Sequence, residues 1–296
     1  MNILTFDIEE WYLEKVYHGG RAEKYAEFDR FLNIILDLLD EVNTNATFFC
    51  VGKMALDFPE IVRKIFERGH EVGCHSDKHM WLNKLSREET FEDTRTAVDA
   101  LEQCTGEKIL SYRAPAFSIG KNNSWAFEVL CQCGITRDAS IFPAARDFGG
   151  FESFKYKEPT YISYNNHTLK EFPVSTVTLL GSKLVYSGGG YFRFFPLSFI
   201  RNQMRSNSYS MTYFHIGDLI PEINKLMSRS EYEEYFMENG NLFNRYIRYL
   251  KSNFGTKGAC EKLVQLVKGV NFVSVEQADL DIEWSLAPVM DLTDLK

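Results

Sequence analysis

His75-Ser76-Asp77-Lys78-His79 sets two imidazoles four residues apart, near enough on one helical turn or tight loop to share a metal ion. Asp7 and Glu9 stand at i and i+2 in a short apolar segment, which in a strand puts both carboxylates on one face. Two histidines and a carboxylate are the ligand set of a catalytic zinc-type site with an open position for water. Arg113, in Ser111-Tyr112-Arg113-Ala114-Pro115, reads as a fixed cation that keeps Asp7 ionised and aimed, with Asp138 holding Arg113 in turn through a bidentate pair. His215, in Phe214-His215-Ile216, is a single imidazole in apolar company. Each residue taken alone has a bland alternative. A close histidine pair arises by chance in a chain with six, Asp7 suits a strand end, Glu9 and Glu10 suit a solvated acidic run, Arg113 suits a surface and His215 a core.

The elements that would carry these residues argue against coincidence. Met1 to Asp7 reads as a strand, and Phe28, Phe31, Leu32, Ile35, Leu36 and Leu39 then recur with the period of an amphipathic helix. Ala46 to Val51 is a short apolar run closed by Gly52, as expected of a strand buried on both faces. Pro59 opens a helix that Gly69 ends, and Glu71 to Cys74 leads into His75. Ser86 and Glu89 form a capping box for a helix that stops at Gly106, followed by a strand over Ile109 to Tyr112. A helix from about Ser124 to Cys133 precedes a strand Ile135-Thr136-Arg137. Helices over Glu231 to Lys251 and Ala259 to Lys268, and a closing strand Asn271 to Val275, complete the reading. This alternation predicts an α/β fold, a parallel sheet wrapped by helices and at this length a closed barrel. Asp7, His75, Arg113, Asp138 and His215 each fall at or just past the C-terminal end of a predicted strand, so they would share the rim where barrel enzymes place their chemistry.

Composition sets outer bounds. The 296 residues, 45% of them hydrophobic, suit one large globular domain. Lys plus Arg is 33 against 41 Asp plus Glu, a net charge of −8 that is the wrong sign for gripping nucleic acid. The chain opens as a strand without a leader pattern and holds no uncharged apolar run of spanning length, so a cytoplasmic protein with no membrane span is expected. Six scattered cysteines predict free thiols, and Cys131-Gln132-Cys133 lacks the spacing of a metal or redox motif. From about 145 to 220 the text turns rich in Tyr, Ser, Gly and Pro, as in late loop or strand insertions. Trp11, Phe117 and Tyr191 follow rim motifs where sugar-stacking faces would sit, loop packing being the alternative, as for Tyr12, Trp81 and Phe192. Arg193 is a candidate contact for an anionic part of a substrate. Gly188-Gly189-Gly190 lacks the Lys of a phosphate-binding loop and reads as a close-approach turn beside the site.

Taken in order and spacing, Thr5-Phe6-Asp7, His75 to His79, Arg113-Ala114-Pro115, Asp138-Ala139-Ser140 and Phe214-His215 resemble the polysaccharide deacetylase (NodB-homology) family. Glu171 to Ser175 and Gly188 to Arg193 resemble a subgroup associated with bacterial surface polysaccharide synthesis. The resemblance implies a distorted (β/α) barrel of about seven strands forming a single domain over 1–296, with a core of about 1–150 plus 205–280 and a subgroup region of about 150–204. It implies one divalent metal, with zinc the expected ion and iron, cobalt or nickel the alternatives. The implied reaction is hydrolysis of the N-acetyl group of an amino sugar in a surface polysaccharide or its precursor. Carried over by motif, Asp7 is the general base, His75 and His79 are metal ligands, Arg113 orients Asp7, Asp138 holds Arg113 and His215 is the general acid. The common pattern has two adjacent aspartates, the second binding metal, where this chain has Ile8. A divergent branch places that carboxylate one residue later, which makes Glu9 the third ligand. The rival readings are an allantoinase-like hydrolase of cyclic amides or ureides and a non-catalytic carbohydrate-binding member of the fold. The late insertions are candidates for packing against a second copy.

Overall fold

In the computed structural model, which describes residues 1–144, 146, 149–179, 181–220 and 226–292, the alternation becomes a mostly parallel sheet. The first half of the chain forms β1 (Asn2–Ile3), which lies outside that sheet, and β2 (Thr5–Ile8), β3 (Thr47–Cys50), β4 (Glu71–Cys74), β5 (Ser111–Tyr112) and β6 (Arg137–Asp138) within it. Helices α1 (Glu10–His18) and α2 (Ala22–Glu41) link β2 to β3, α3 (Gly52–Asp57) and α4 (Pro59–Glu67) link β3 to β4, and α5 (Arg87–Thr105) and α6 (Ala126–Gln132) follow β4 and β5. Every residue of β2 and β3 is buried, which is why these segments read as continuous apolar runs. Phe6 of β2 stacks on Phe48 of β3 with ring centroids 4.9 Å apart. The α5 helix begins with the expected capping box between Ser86 and Glu89 and ends on Gly106 in the left-handed conformation.

The second half adds β7 (Thr160–Tyr164), β8 (His167–Glu171), β9 (Thr176–Leu179), β10 (Ser182–Val185), β11 (Ser210–Met211), β12 (Phe214–His215) and β13 (Val289–Asp291). The main sheet has the order β12-β2-β3-β4-β5-β6-β8-β7-β13. From β12 to β8 all neighbours are parallel, which makes the expected seven strands of an opened-out barrel. Beyond them, β7 is antiparallel to β8 and β13 runs parallel to β7. The seam opposite is bridged by Tyr209, whose hydroxyl donates to Pro173 O at 2.9 Å, and by Ser175 Oγ, which accepts from Met211 N at 2.7 Å. The remaining helices are α7 (Gly189–Phe194), α8 (Leu197–Ser206), α9 (Arg229–Phe236), α10 (Leu242–Asn253), α11 (Ala259–Gly269) and α12 (Val275–Asp281).

Three element expectations are corrected. The helix expected over Glu231 to Lys251 is two, because Met237 adopts φ 52° to end α9 and the Asn241 side chain accepts from Asn244 N to start α10. The closing strand Asn271 to Val275 shrinks to one bridge between Val273 and Ile3, since Ser274 caps α12 immediately afterwards. The strand expected at Ile135 lies two residues later at Arg137–Asp138, where pairing with β5 sets it, while Ile135 N is held by Leu130 O at the end of α6.

Candidate metal centre and acid–base rim

Glu9, His75 and His79 meet at the C-terminal ends of β2 and β4, with ligand atoms within 4.8 Å of one another. Strand alternation explains Glu9: Asp7 and Glu9 share a face, while Ile8 points the other way into the core. His75 follows the last residue of β4, and its Nδ1 lies 2.8 Å from Arg113 O. A carbonyl only accepts, so Nδ1 carries the hydrogen and Nε2 is left with its lone pair facing Glu9. Ser76 and His79 take left-handed backbone, φ 61° and 55°, which folds the loop back so that both imidazoles reach one carboxylate. Glu9 Oε2 is buried without a hydrogen bond, 3.3 Å from His75 Nε2 and 2.6 Å from His79 Nε2. Burial pushes the Glu9 carboxyl upward, and the positive charge that His79 and His215 can carry outweighs it, holding the group well below the usual range. An orphaned carboxylate oxygen facing two imidazole nitrogens fits a divalent cation.

Beside this cluster, Asp7 and Arg113 form a buried ion pair, Nη1 to Oδ1 at 2.8 Å, with the side chains 2% and 0% exposed. Arg113 also donates to Thr5 Oγ1 at 2.7 Å and Ala139 O at 3.1 Å, and its guanidinium lies 4.3 Å from the Phe49 ring centroid. Asp138 does not hold Arg113. Its carboxylate accepts from Ser140 Oγ at 2.6 Å and Ser140 N at 3.3 Å, because the tight turn after β6 brings Ser140 back over it. Its neighbour in register across the sheet is Glu171 of β8, also fully buried. Burial raises both carboxyls, and the Asp138 charge lifts Glu171 well above its ordinary range, so Glu171 keeps the proton between them.

His215 ends β12, paired in register with Asp7 of β2. Its Nδ1 is 2.9 Å from Asp218 Oδ2, and its Nε2 faces Asp7 Oδ2 at 3.7 Å and Glu9 Oε1 at 3.8 Å. At 30% side-chain exposure it is the open member of the rim. Burial lowers its pKa, but Glu9, Asp218 and Asp7 together carry it well above the ordinary value. Arg193 does not face a substrate; its guanidinium lies 3.5 Å from Asp218 Oδ1 and donates to Ser252 O and Lys251 O. Burial raises the Asp218 carboxyl, and His215 with Arg193 more than offset it.

Sequence reasoning missed Asp218, whose signal was its place three residues after His215, and Glu10, which is buried and accepts from Gly217 N at 2.8 Å. Burial and the charge of Glu9 push Glu10 up to about 8, so the solvated acidic run is ruled out. Tyr235 of α9 was missed as well and lies parallel to the His79 ring at 6.3 Å. Two of the expected stacking faces are corrected. Trp11, 1% exposed, packs on Phe28, and Phe117, 3% exposed, packs between Phe142 and Tyr213, because Trp11 points inward from α1 and Phe117 from the turn after Ala114. Tyr191 is half-buried against the core. Cys131 and Cys133 bond Thr168 O and Phe91 O separately, and burial raises them to about 11 and about 12. Gly188 touches Tyr213, where a Cβ would sit 2.1 Å from the carbonyl oxygen, so the close-approach turn is real.

Fold and site together define an α/β barrel protein with a candidate His2Glu metal centre and an acid–base pair on one rim. Residues 3–137 match the family described as polysaccharide deacetylase. Residues 139–279 match a second family, described as a domain of unknown function, DUF3473. A peptidoglycan-N-acetylglucosamine deacetylase of Bacillus cereus is 33% identical over 115 residues, 37% of this chain and 42% of that protein. A chitooligosaccharide deacetylase of Sinorhizobium fredii is 31% identical over 102 residues, 32% of this chain and 47% of that protein. The matches thus span less than half the length of these relatives. A solved structure from Mycobacterium smegmatis described as a polysaccharide deacetylase shares the fold, with TM-score 0.63 and 18% identity over 97% of this chain and 91% of that one.

Proposed function

We propose that this chain is a metal-dependent carbohydrate N-deacetylase that removes the acetyl group from an amino sugar of a surface polysaccharide or its precursor. The reading rests above all on Glu9, His75 and His79 converging beside both the Asp7–Arg113 pair and His215. A divalent cation held by Glu9, His75 and His79 would supply Lewis acidity, polarising the acetyl carbonyl and making a neighbouring water more acidic. Asp7, tied to Arg113 through Oδ1, has Oδ2 turned to the rim to take the proton of the attacking water. His215, aligned through Nδ1 by Asp218, holds a proton at Nε2 for the departing sugar nitrogen, which leaves poorly as an anion. The products are acetate and a free amine. Names of the relatives support the substrate class: one acts on peptidoglycan N-acetylglucosamine and another on chitooligosaccharide.

The test is metal content by mass spectrometry on wild type, Glu9→Ala and His75→Ala, paired with acetate release from N-acetylated saccharides and turnover of cyclic ureides. The expected result is about one ion per chain in wild type, lost from both variants together with acetate release. Metal retained in Glu9→Ala would discard the third ligand. Turnover of a cyclic ureide in place of the saccharides would transfer the site to the amide-ring reading. A fully loaded protein inactive on every saccharide and ureide would make it a binding member of the fold.

A further inference from the structure

Residues 242–253 build α10, a helix whose apolar stripe none of the described residues buries. Phe243, Tyr246 and Leu250 recur at i, i+3 and i+7, the spacing of one helical face, with Leu242 beside the first and Phe254 just past the end of the helix. In α2 the same pattern buries Phe28, Leu32, Ile35 and Leu39 in the core. In α10 no residue is buried, and the stripe faces outward, with Leu242 65% and Phe243 72% exposed. Phe194 at the end of α7 extends it, its ring 6.2 Å from Phe254. Aromatic and aliphatic groups lined up this way on the surface mark an interaction face.

Charge selects the partner. Between 242 and 257 the chain carries Arg245, Arg248, Lys251 and Lys257 and no carboxylate, in a protein whose net charge is −8. Arg245 and Arg248 turn back to α9, the first donating to Met227 O and the second lying over the Phe236 ring, while Lys251 and Lys257 are exposed at the end of the stripe. Apolar rings flanked by cations on an otherwise acidic molecule match the boundary between acyl chains and anionic headgroups. Among the described residues no helix is long and apolar enough to cross a membrane, so the contact would be peripheral.

We propose that the α10 face, from Leu242 to Leu250 and continued by Phe254 and Phe194, docks on an anionic lipid surface. The helix is tied to the rim: Arg193, which pairs with Asp218 beside His215, donates to the carbonyls of Lys251 and Ser252 in the last turn of α10. Docking thus brings the rim to saccharides held at a membrane. That consequence rests on the deacetylase reading, whereas the docking itself does not.

The test is co-sedimentation of the full chain with vesicles of phosphatidylglycerol and phosphatidylcholine, against phosphatidylcholine alone, with sedimentation velocity in buffer as a companion. Wild type should bind the anionic vesicles preferentially and be released as salt rises. Phe243→Ser and Phe254→Ser should each weaken binding by about tenfold with unchanged melting, since each removes one buried ring. Lys251→Glu with Lys257→Glu should weaken it while leaving the apolar stripe intact. Failure of folded wild type to bind anionic vesicles, or equal binding by the serine variants, overturns the proposal. A wild-type dimer that Phe243→Ser converts to monomer also overturns it, by showing that a second copy covers the face. Acetate release from soluble saccharide by the serine variants should equal that of wild type, which separates failure of docking from failure of the site reading.

Discussion

Replacing Arg113 by Met removes a cation from a place water does not reach. The guanidinium is fully buried and donates to Asp7 Oδ1, Thr5 Oγ1 and Ala139 O, and it lies over Phe49. Methionine keeps much of the side-chain volume, so the main loss is electrostatic. Thr5 Oγ1 keeps its own bond to Thr212 O at 2.5 Å, and Ala139 O loses one donor at modest expense. Asp7, 2% exposed, is left with only the part-exposed His215, 3.7 Å away, to balance its buried charge, and breaking such a buried pair typically costs about 3–5 kcal/mol. Adding Asp7→Asn removes the stranded charge, so the double variant should recover more than half of that loss. Urea titrations followed by tryptophan fluorescence measure all three proteins, with chelator present throughout so that metal linkage does not enter the comparison. A single-variant loss below about 1 kcal/mol, the level of an exposed pair, would refute the claim that this ion pair is held dry. Failure of the double variant to recover would show that Arg113 acts through its packing instead.

Asp218→Asn should lower kcat by about 100- to 10,000-fold while metal content stays at the wild-type level, because His215 loses the carboxylate that aligns it and holds its proton while Glu9, His75 and His79 are untouched; near wild-type turnover would remove His215 from the acid role. Glu171 carries a pKa raised above its unfolded value, so wild-type stability should fall as pH rises from about 4.3 through its folded pKa, since the native state alone keeps that proton. Glu171→Gln, whose amide can donate to Asp138 as the proton does, should flatten that slope and gain stability relative to wild type toward alkaline pH; parallel slopes in denaturation at several pH values would contradict the shared proton.

Local pattern made much of this protein legible. The apolar runs of β2 and β3, the capping box at Ser86 and the stripe of α2 are short-range signals, and all stand where sequence reasoning put them. Spacing also put Asp7 and Glu9 on one face and offered the two histidines as a pair, while the choice of Glu9 as the third candidate ligand came from the family resemblance; in the structure Glu9, His75 and His79 meet. What the pattern could not decide was which partner a charged group finds across the sheet. Asp138 was assigned to Arg113 but pairs with Ser140 and Glu171, because the β6–β8 register, made by strands about thirty residues apart in sequence, sets its neighbour. Arg193 was assigned to a substrate but braces Asp218, and Trp11 and Phe117 were assigned to a surface but fill the core. Strand and helix identity depend on neighbours a few residues away, and the sequence alone determines them. Ion pairing and burial depend on which distant segments a closed fold brings within a few ångströms, and that only the tertiary structure decided.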